Sequence, residues 1–349
     1  MWLLNTRTCE LRQFLSPELV PKGYAILSHC WGRDEQTFQD VQGHMASCAK
    51  TGKNPRDFVS KKIREFCVLA ESLGYEWGWA DTCCIDKTSS SELSEAINSM
   101  FRYYFLSEVC IVFLHDVPTG CALDEHGPEF RDSRWHKRGW TLQELIAPKN
   151  VVFYSQDWQK LSTKVEKAPL LEEITGIPED VLMGKKGVTE MSVAARMSWA
   201  AYRETTREED EAYCLLGILK VDMYTSYGEG RHAFYRLQEE FIKRSTDTSL
   251  FAWGKVLKME DVRNLQDLRL PDTIAAHHKH DLSEPFLFAP SPACCSGCRT
   301  GSFPDGAGRR TGPDDSSSEE GERVCRLVPA YVAAYGDGIR DPDDRVFIE

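Results

Sequence analysis

Apolar residues follow two rhythms over about the first 160 positions. Residues 24–31 (YAILSHCW), 77–85, 109–115 (VCIVFLH) and 151–154 are short apolar runs of strand length, each bounded by polar residues. Between the first two, Val59, Ile63, Phe66, Ala70 and Leu73 recur at alternating four- and three-residue steps, the stripe of a helix that Gly74 ends. Ser89 and Glu92 have the spacing of a capping box, opening a helix with Ile97, Met100, Phe101 and Tyr104 inward. A short helix around residues 140–146 precedes Pro148. In the second strand Gly78 and Ala80 are poor strand formers and are expected to loosen it.

Strands alternating with helices predict an α/β fold, a doubly wound and mostly parallel sheet covered on both faces. In such sheets chemistry gathers past the carboxyl ends of the strands. That rule selects residues 28–32, 81–86 and 115–116. From about residue 168 the rhythm is helical only, with candidate helices at 170–177, 191–202, 210–219 and 232–244. Thr206 and Glu209 suggest a capping box for the third, and Phe234, Leu237 and Phe241 point inward on the fourth. Residues 290–323 are rich in Ser, Gly, Pro and charge and read as a low-complexity loop. The expected division is an α/β domain at 1–160, a C-terminal helical annex packed on it at 161–255, and an irregular tail at 256–349.

Charge narrows the function classes. A net charge of −12 over 349 residues excludes a broad electrostatic grip on nucleic acid or an anionic membrane, so neither is expected as a partner. The local run Lys61, Lys62 and Arg64 reads as a solvated helix face. The 13 cysteines are odd in number and several (Cys67, Cys110, Cys214) sit in apolar runs, which suits free thiols in a reducing compartment. No basic stretch followed by an apolar one opens the chain, and no apolar run is long enough to span a bilayer, so a cytoplasmic location is expected. His277, His278 and His280 with Cys294, Cys295 and Cys298 contain one ligand-like spacing. The set fits no standard zinc finger, and no metal is expected.

Three blocks carry a resemblance: GYAILSHCWGRDEQTFQDV at 23–41, WADTCCIDKTSSSELSEAINSMFRYY at 79–104 and DSRWHKRGWTLQELIAPKNVVFYSQDW at 132–158. In order and spacing they resemble the heterokaryon-incompatibility (HET) domain. The resemblance implies a programmed cell-death effector of fungal non-self recognition, acting through self-association and through other incompatibility or receptor proteins. HET domains are in turn similar to TIR domains, some of which hydrolyse NAD with a glutamate on a short helix. The text Trp140-Thr-Leu-Gln-Glu144-Leu145 resembles that motif. It implies a TIR/flavodoxin-like wind, Glu144 as the catalytic carboxylate, and NAD as substrate with no other cofactor.

The residues themselves leave alternatives open. Glu144 beside a ribose would stabilise oxocarbenium charge; on an exposed helix face it would merely pair with Arg138. Trp140, four positions earlier, walls the pocket or anchors the helix to the sheet. Arg134 and Arg138 suit a pyrophosphate, and equally suit Asp81 or Asp86. Ser28, His29, Trp31 and Gly32 form a candidate pocket lip. Ser28 and His29 point to opposite faces of a strand, which argues against a Ser-His-Asp hydrolase. Asp81 and Asp86 flank Cys83 and Cys84, which read as packed small residues more readily than as nucleophiles. Two functional readings therefore stand: a nucleotide hydrolase, and a non-catalytic self-associating adaptor.

Overall fold

The computed structural model describes residues 1–121, 127–252, 256–258, 289, 291–298 and 324–326. They form two compact units. One comprises Met1–Met191 with Tyr202–Ser245; the other comprises Ser192–Ala201 and the described residues from Thr246 onward.

The first unit is built on a seven-stranded sheet. Its elements in chain order begin β1 (Trp2–Asn5), β2 (Leu11–Gln13), β3 (Ala25–His29), α1 (Phe38–Thr51), α2 (Lys61–Ser72) and β4 (Trp77–Trp79). There follow α3 (Ser90–Phe105), β5 (Val109–Phe113), α4 (Pro128–Arg131), α5 (Arg134–Lys137), α6 (Thr141–Ile146), β6 (Val151–Tyr154) and β7 (Lys160–Thr163). The strands lie in the order β2-β1-β4-β3-β5-β6-β7. β4, β3, β5 and β6 run parallel, whereas β1–β2, β1–β4 and β6–β7 are antiparallel. The sheet is thus α/β but mixed, which corrects the mostly parallel expectation. The added strands are three or four residues long, too short for a periodic signal. Asn5 Oδ1 accepts the backbone N–H groups of Arg7 and Thr8 at 3.1 Å each, making the turn that folds β2 back on β1.

Every residue of β3 is buried, as a central strand covered on both faces requires. α2 buries Ile63, Phe66, Cys67 and Ala70, most of its predicted stripe, but Leu73 caps the helix and is 45% exposed. Gly78 does not loosen β4. A Cβ there would meet Phe66 Cε1 at 2.9 Å, so the absent side chain is the space into which α2 packs. The Lys61–Arg64 run is not one solvated face either, because Lys62 turns inward to Glu35 and His29. Ser89 caps α3 by accepting from the Glu92 N–H, yet the Glu92 carboxylate accepts from Trp2 Nε1 instead of closing a box.

Beyond β7 come α7 (Ala168–Thr175), α8 (Glu179–Leu182), α9 (Val193–Ser198), α10 (Asp210–Tyr213), α11 (Leu216–Leu219) and α12 (His232–Ile242). The expected helix at 210–219 is two short helices. Glu209 forms no capping box with Thr206 and instead accepts the N–H groups of Gly228 and Gly230. Within the first unit, Glu204 pairs with the loop after α5: Gly139 N–H donates to its carbonyl at 2.8 Å, and Arg203 donates to Arg138 O and Thr141 Oγ1 at 2.9 Å.

The second unit contains α9, where Asp247 accepts the Val193 N–H at 2.7 Å, and a two-stranded antiparallel pair, β8 (Val256–Lys258) with β9 (Val324–Arg326). Most of the low-complexity stretch, and His277, His278 and His280, lie outside the described residues. No helix among the described residues is long and apolar enough to cross a membrane. No described group of His, Cys, Asp and Glu is arranged to hold a metal ion.

Candidate functional site

The four parallel strands, numbered by their order in the chain, lie side by side as 2-1-3-4. Successive connections therefore leave β3 and β5 in opposite directions, and a crevice opens between their carboxyl ends. Ser28 and His29 end β3, Asp81 follows β4, and Asp116 follows β5.

Strand alternation sends Ser28 and His29 to opposite faces. Ser28 faces α3, α5 and α6. Its hydroxyl accepts from Trp135 Nε1 at 2.8 Å and donates to Glu144 Oε2 at 2.5 Å. The Tyr104 hydroxyl donates to the Leu27 carbonyl at 3.0 Å and also meets Glu144. Glu144 is 5% exposed. Burial, followed by the nearby Asp81 charge, pushes its pKa up to about 8 against the opposing effects of Ser28, Arg138 and Tyr104. At neutral pH it is a neutral acid.

His29 faces α2. His29 Nδ1 lies 2.9 Å from Lys62 Nζ and 3.2 Å from the Cys30 carbonyl, and its Nε2 meets Asp81 Oδ1 at 3.1 Å. Lys62 is held in turn by Glu35, which also accepts the Gly32 N–H at 2.5 Å. Trp31 Nε1 donates to the other Asp81 oxygen at 2.7 Å. Burial works against ionisation of Asp81, but the His29 hydrogen bond and the Lys87 and Arg138 charges outweigh it and hold the carboxyl down at about 2. The crevice thus holds two carboxyl groups driven apart in acidity, one neutral and one anionic.

Trp31, 41% exposed, is the outer wall. Lys87 Nζ lies 3.9 Å from its ring centroid and the Arg138 guanidinium 5.3 Å. Asp116 fixes the start of α5 by accepting from Ser133 Oγ and the Arg134 N–H at 2.8 Å each.

Ser28, His29, Trp31, Gly32, Asp81, Arg138 and Glu144 are therefore brought to one place. Asp86 is not among them: it accepts from Gln39 and Thr88 in the turn before α3. Trp140 N-caps α6 with its indole on Asp210, away from Glu144. The exposed-face alternative for Glu144 is excluded by its burial. Cys83 and Cys84 are buried free thiols, and the hydrogen bond with Cys84, followed by burial, raises the Cys83 pKa. Burial also raises Cys30, to about 11. The sequence reading passed over Tyr104, Trp135, Glu35, Lys62 and Lys87. All of these but Lys62 stand inside the quoted blocks, and only the fold shows that their polar ends reach the crevice.

Residues 24–123 match the family described as heterokaryon incompatibility protein (HET). Residues 232–303 match a domain of unknown function, DUF8212. Vegetative incompatibility protein HET-E-1 of Podospora anserina is 42% identical over 227 residues, which cover 63% of this chain and 16% of that protein. No solved structure matches. Ser28, His29, Trp31, Gly32, Asp81 and Asp86 fall inside the HET match, whereas Arg138, Trp140 and Glu144 lie beyond it. Residues 24–123 therefore match the heterokaryon-incompatibility (HET) family, and over 227 residues the chain is similar to a vegetative incompatibility protein of which it spans about a sixth.

Proposed function

We propose that this chain is the effector module of a vegetative-incompatibility response, and that it kills by cleaving the nicotinamide–ribose bond of NAD in the β3–β5 crevice. The observation that carries this reading is the carboxyl pair at the strand ends, Glu144 neutral and Asp81 ionised, with Arg138 between them in charge. The 2-1-3-4 order of the parallel strands supports a TIR/flavodoxin-like wind, in which ligands take this crevice. NAD brings a cationic nicotinamide ring. A cation beside Glu144 opposes the Asp81 effect and favours loss of its proton, so the carboxylate forms where the sugar becomes an oxocarbenium ion. Water adds at the anomeric carbon and gives its proton to Glu144. The C–N bond pair leaves with nicotinamide, which departs neutral without a general acid. Arg138 and Lys87 at the mouth suit the pyrophosphate.

One observation favours a second reading, a self-associating adaptor without chemistry: Glu144 is shut in and satisfied by Ser28 and Tyr104, as a structural carboxyl would be. NAD consumption by the purified chain, dilute and artificially oligomerised, separates the two. Turnover that disappears in folded Glu144→Gln supports the hydrolase. Absence of turnover in both states, with cell killing undiminished in Glu144→Gln, refutes it in favour of the adaptor.

A further inference from the structure

A cavity of about 510 Å³ opens in the first unit among α3, the α6–β6 turn, α8 and α11, formed by residues the proposed chemistry does not use. Its floor is apolar, with Phe101, Ile146, Leu182 and Ile218. Phe105, 49% exposed, stands at its mouth. The charged residues that line it are all lysines: Lys149, Lys164, Lys186 and Lys220. This one-signed lining occurs in a chain whose net charge is −12. Lys149, Lys186 and Lys220 are exposed and form no ion pair among the described residues. Lys164 is 4% exposed, and its ammonium donates to the carbonyls of Leu145 at 3.1 Å and Pro148 at 2.6 Å. Two of its three donors are so engaged, leaving one for a ligand. A buried ammonium without a carboxylate is unfavourable until an anion joins it.

We propose that this cavity binds a free fatty acid, its alkyl chain on the apolar floor and its carboxylate among the four lysines. Apart from the lysines, Thr189 is the one polar side chain in the lining, so no side-chain amide or carboxylate is offered to the hydroxyls of a sugar or the edge of a base. No arginine is present to grip a phosphate bidentately. What remains is one anionic head on an apolar body, and pockets of this size hold a single small molecule.

Calorimetric titration of the full chain with dodecanoate, below its micelle concentration, tests the proposal. Saturable one-to-one binding is expected, weakening as salt rises. The double variant Lys186→Glu with Lys220→Glu, which alters two exposed and unpaired side chains, is expected to bind about tenfold more weakly or worse. Lys149→Glu is a second, independent variant, and the unfolding curve of each verifies its fold. Dodecan-1-ol and inorganic phosphate, the chain and a head group offered separately, are each expected to bind more weakly. Equal dodecanoate affinity in wild type and both folded variants overturns the proposal, as does phosphate binding as tightly as dodecanoate. Capture by phosphatidylglycerol vesicles without binding of free dodecanoate also overturns it, in favour of a membrane contact.

Discussion

Replacing Glu144 with glutamine removes one proton-binding group from beneath the sheet's crevice while keeping its shape and its bond to Ser28. The amide oxygen still accepts from Ser28. In the folded chain burial lifts the Glu144 pKa from the ordinary 4.5 to about 8. The folded state therefore holds this proton more tightly than the unfolded state does. Its stabilising contribution is complete below pH 4.5 and is lost as pH rises through 8. At ~1.4 kcal/mol per pH interval, the full effect is about 5 kcal/mol, of which about 3–4 kcal/mol falls between pH 5 and pH 8. That is a large share of the stability of an ordinary domain, about 5–15 kcal/mol. Urea unfolding of both proteins at about pH 5 and about pH 8 isolates it, because all other titrating groups are common to the pair. Wild type is expected to lose stability relative to Glu144→Gln as pH rises, so that the variant is the more stable protein at pH 8. A stability difference that does not change with pH refutes the assignment of a neutral, buried Glu144.

Three further outcomes follow from the same geometry. Asp81→Asn removes the anion that helps keep Glu144 protonated; carboxyl infrared or NMR titration is expected to place Glu144 below its wild-type value of about 8. Gly78→Ala drives a methyl against Phe66 at 2.9 Å and is expected to destabilise by about 1–3 kcal/mol, with Phe66→Leu in the same chain restoring part of the loss in thermal unfolding. Thr37→Ala removes a capping box in which Thr37 and Asp40 bond reciprocally, and denaturant unfolding is expected to register about 1 kcal/mol.

The rhythm of apolar residues determined the elements that bury a face. β3, β5 and β6, the α2 and α3 stripes and the helical character after residue 168 were all legible, because burial imposes a period on any segment with one inward side. Turn and cap chemistry was legible in part: Gly74 ends α2 in the left-handed region, but Glu92 and Glu209, which had capping-box spacing, were drawn to Trp2 and to the Gly228 and Gly230 amides. Competition from distant partners is invisible to local spacing. The same limit hid β1, β2 and β7, whose few residues hold their place through pairing rather than periodicity. At the site, residue types and strand ends marked Ser28, His29, Asp81 and Glu144. Only the fold decided that Glu144 lies under Ser28, that Lys62 turns inward to orient His29, and that Trp140 and Asp86 serve elsewhere. Side-chain identity fixes what a group can donate or accept. Which proton it keeps depends on burial and on charges brought from positions 50 or more residues away, as Asp81 and Glu144 are from Ser28, and those are set by tertiary structure alone.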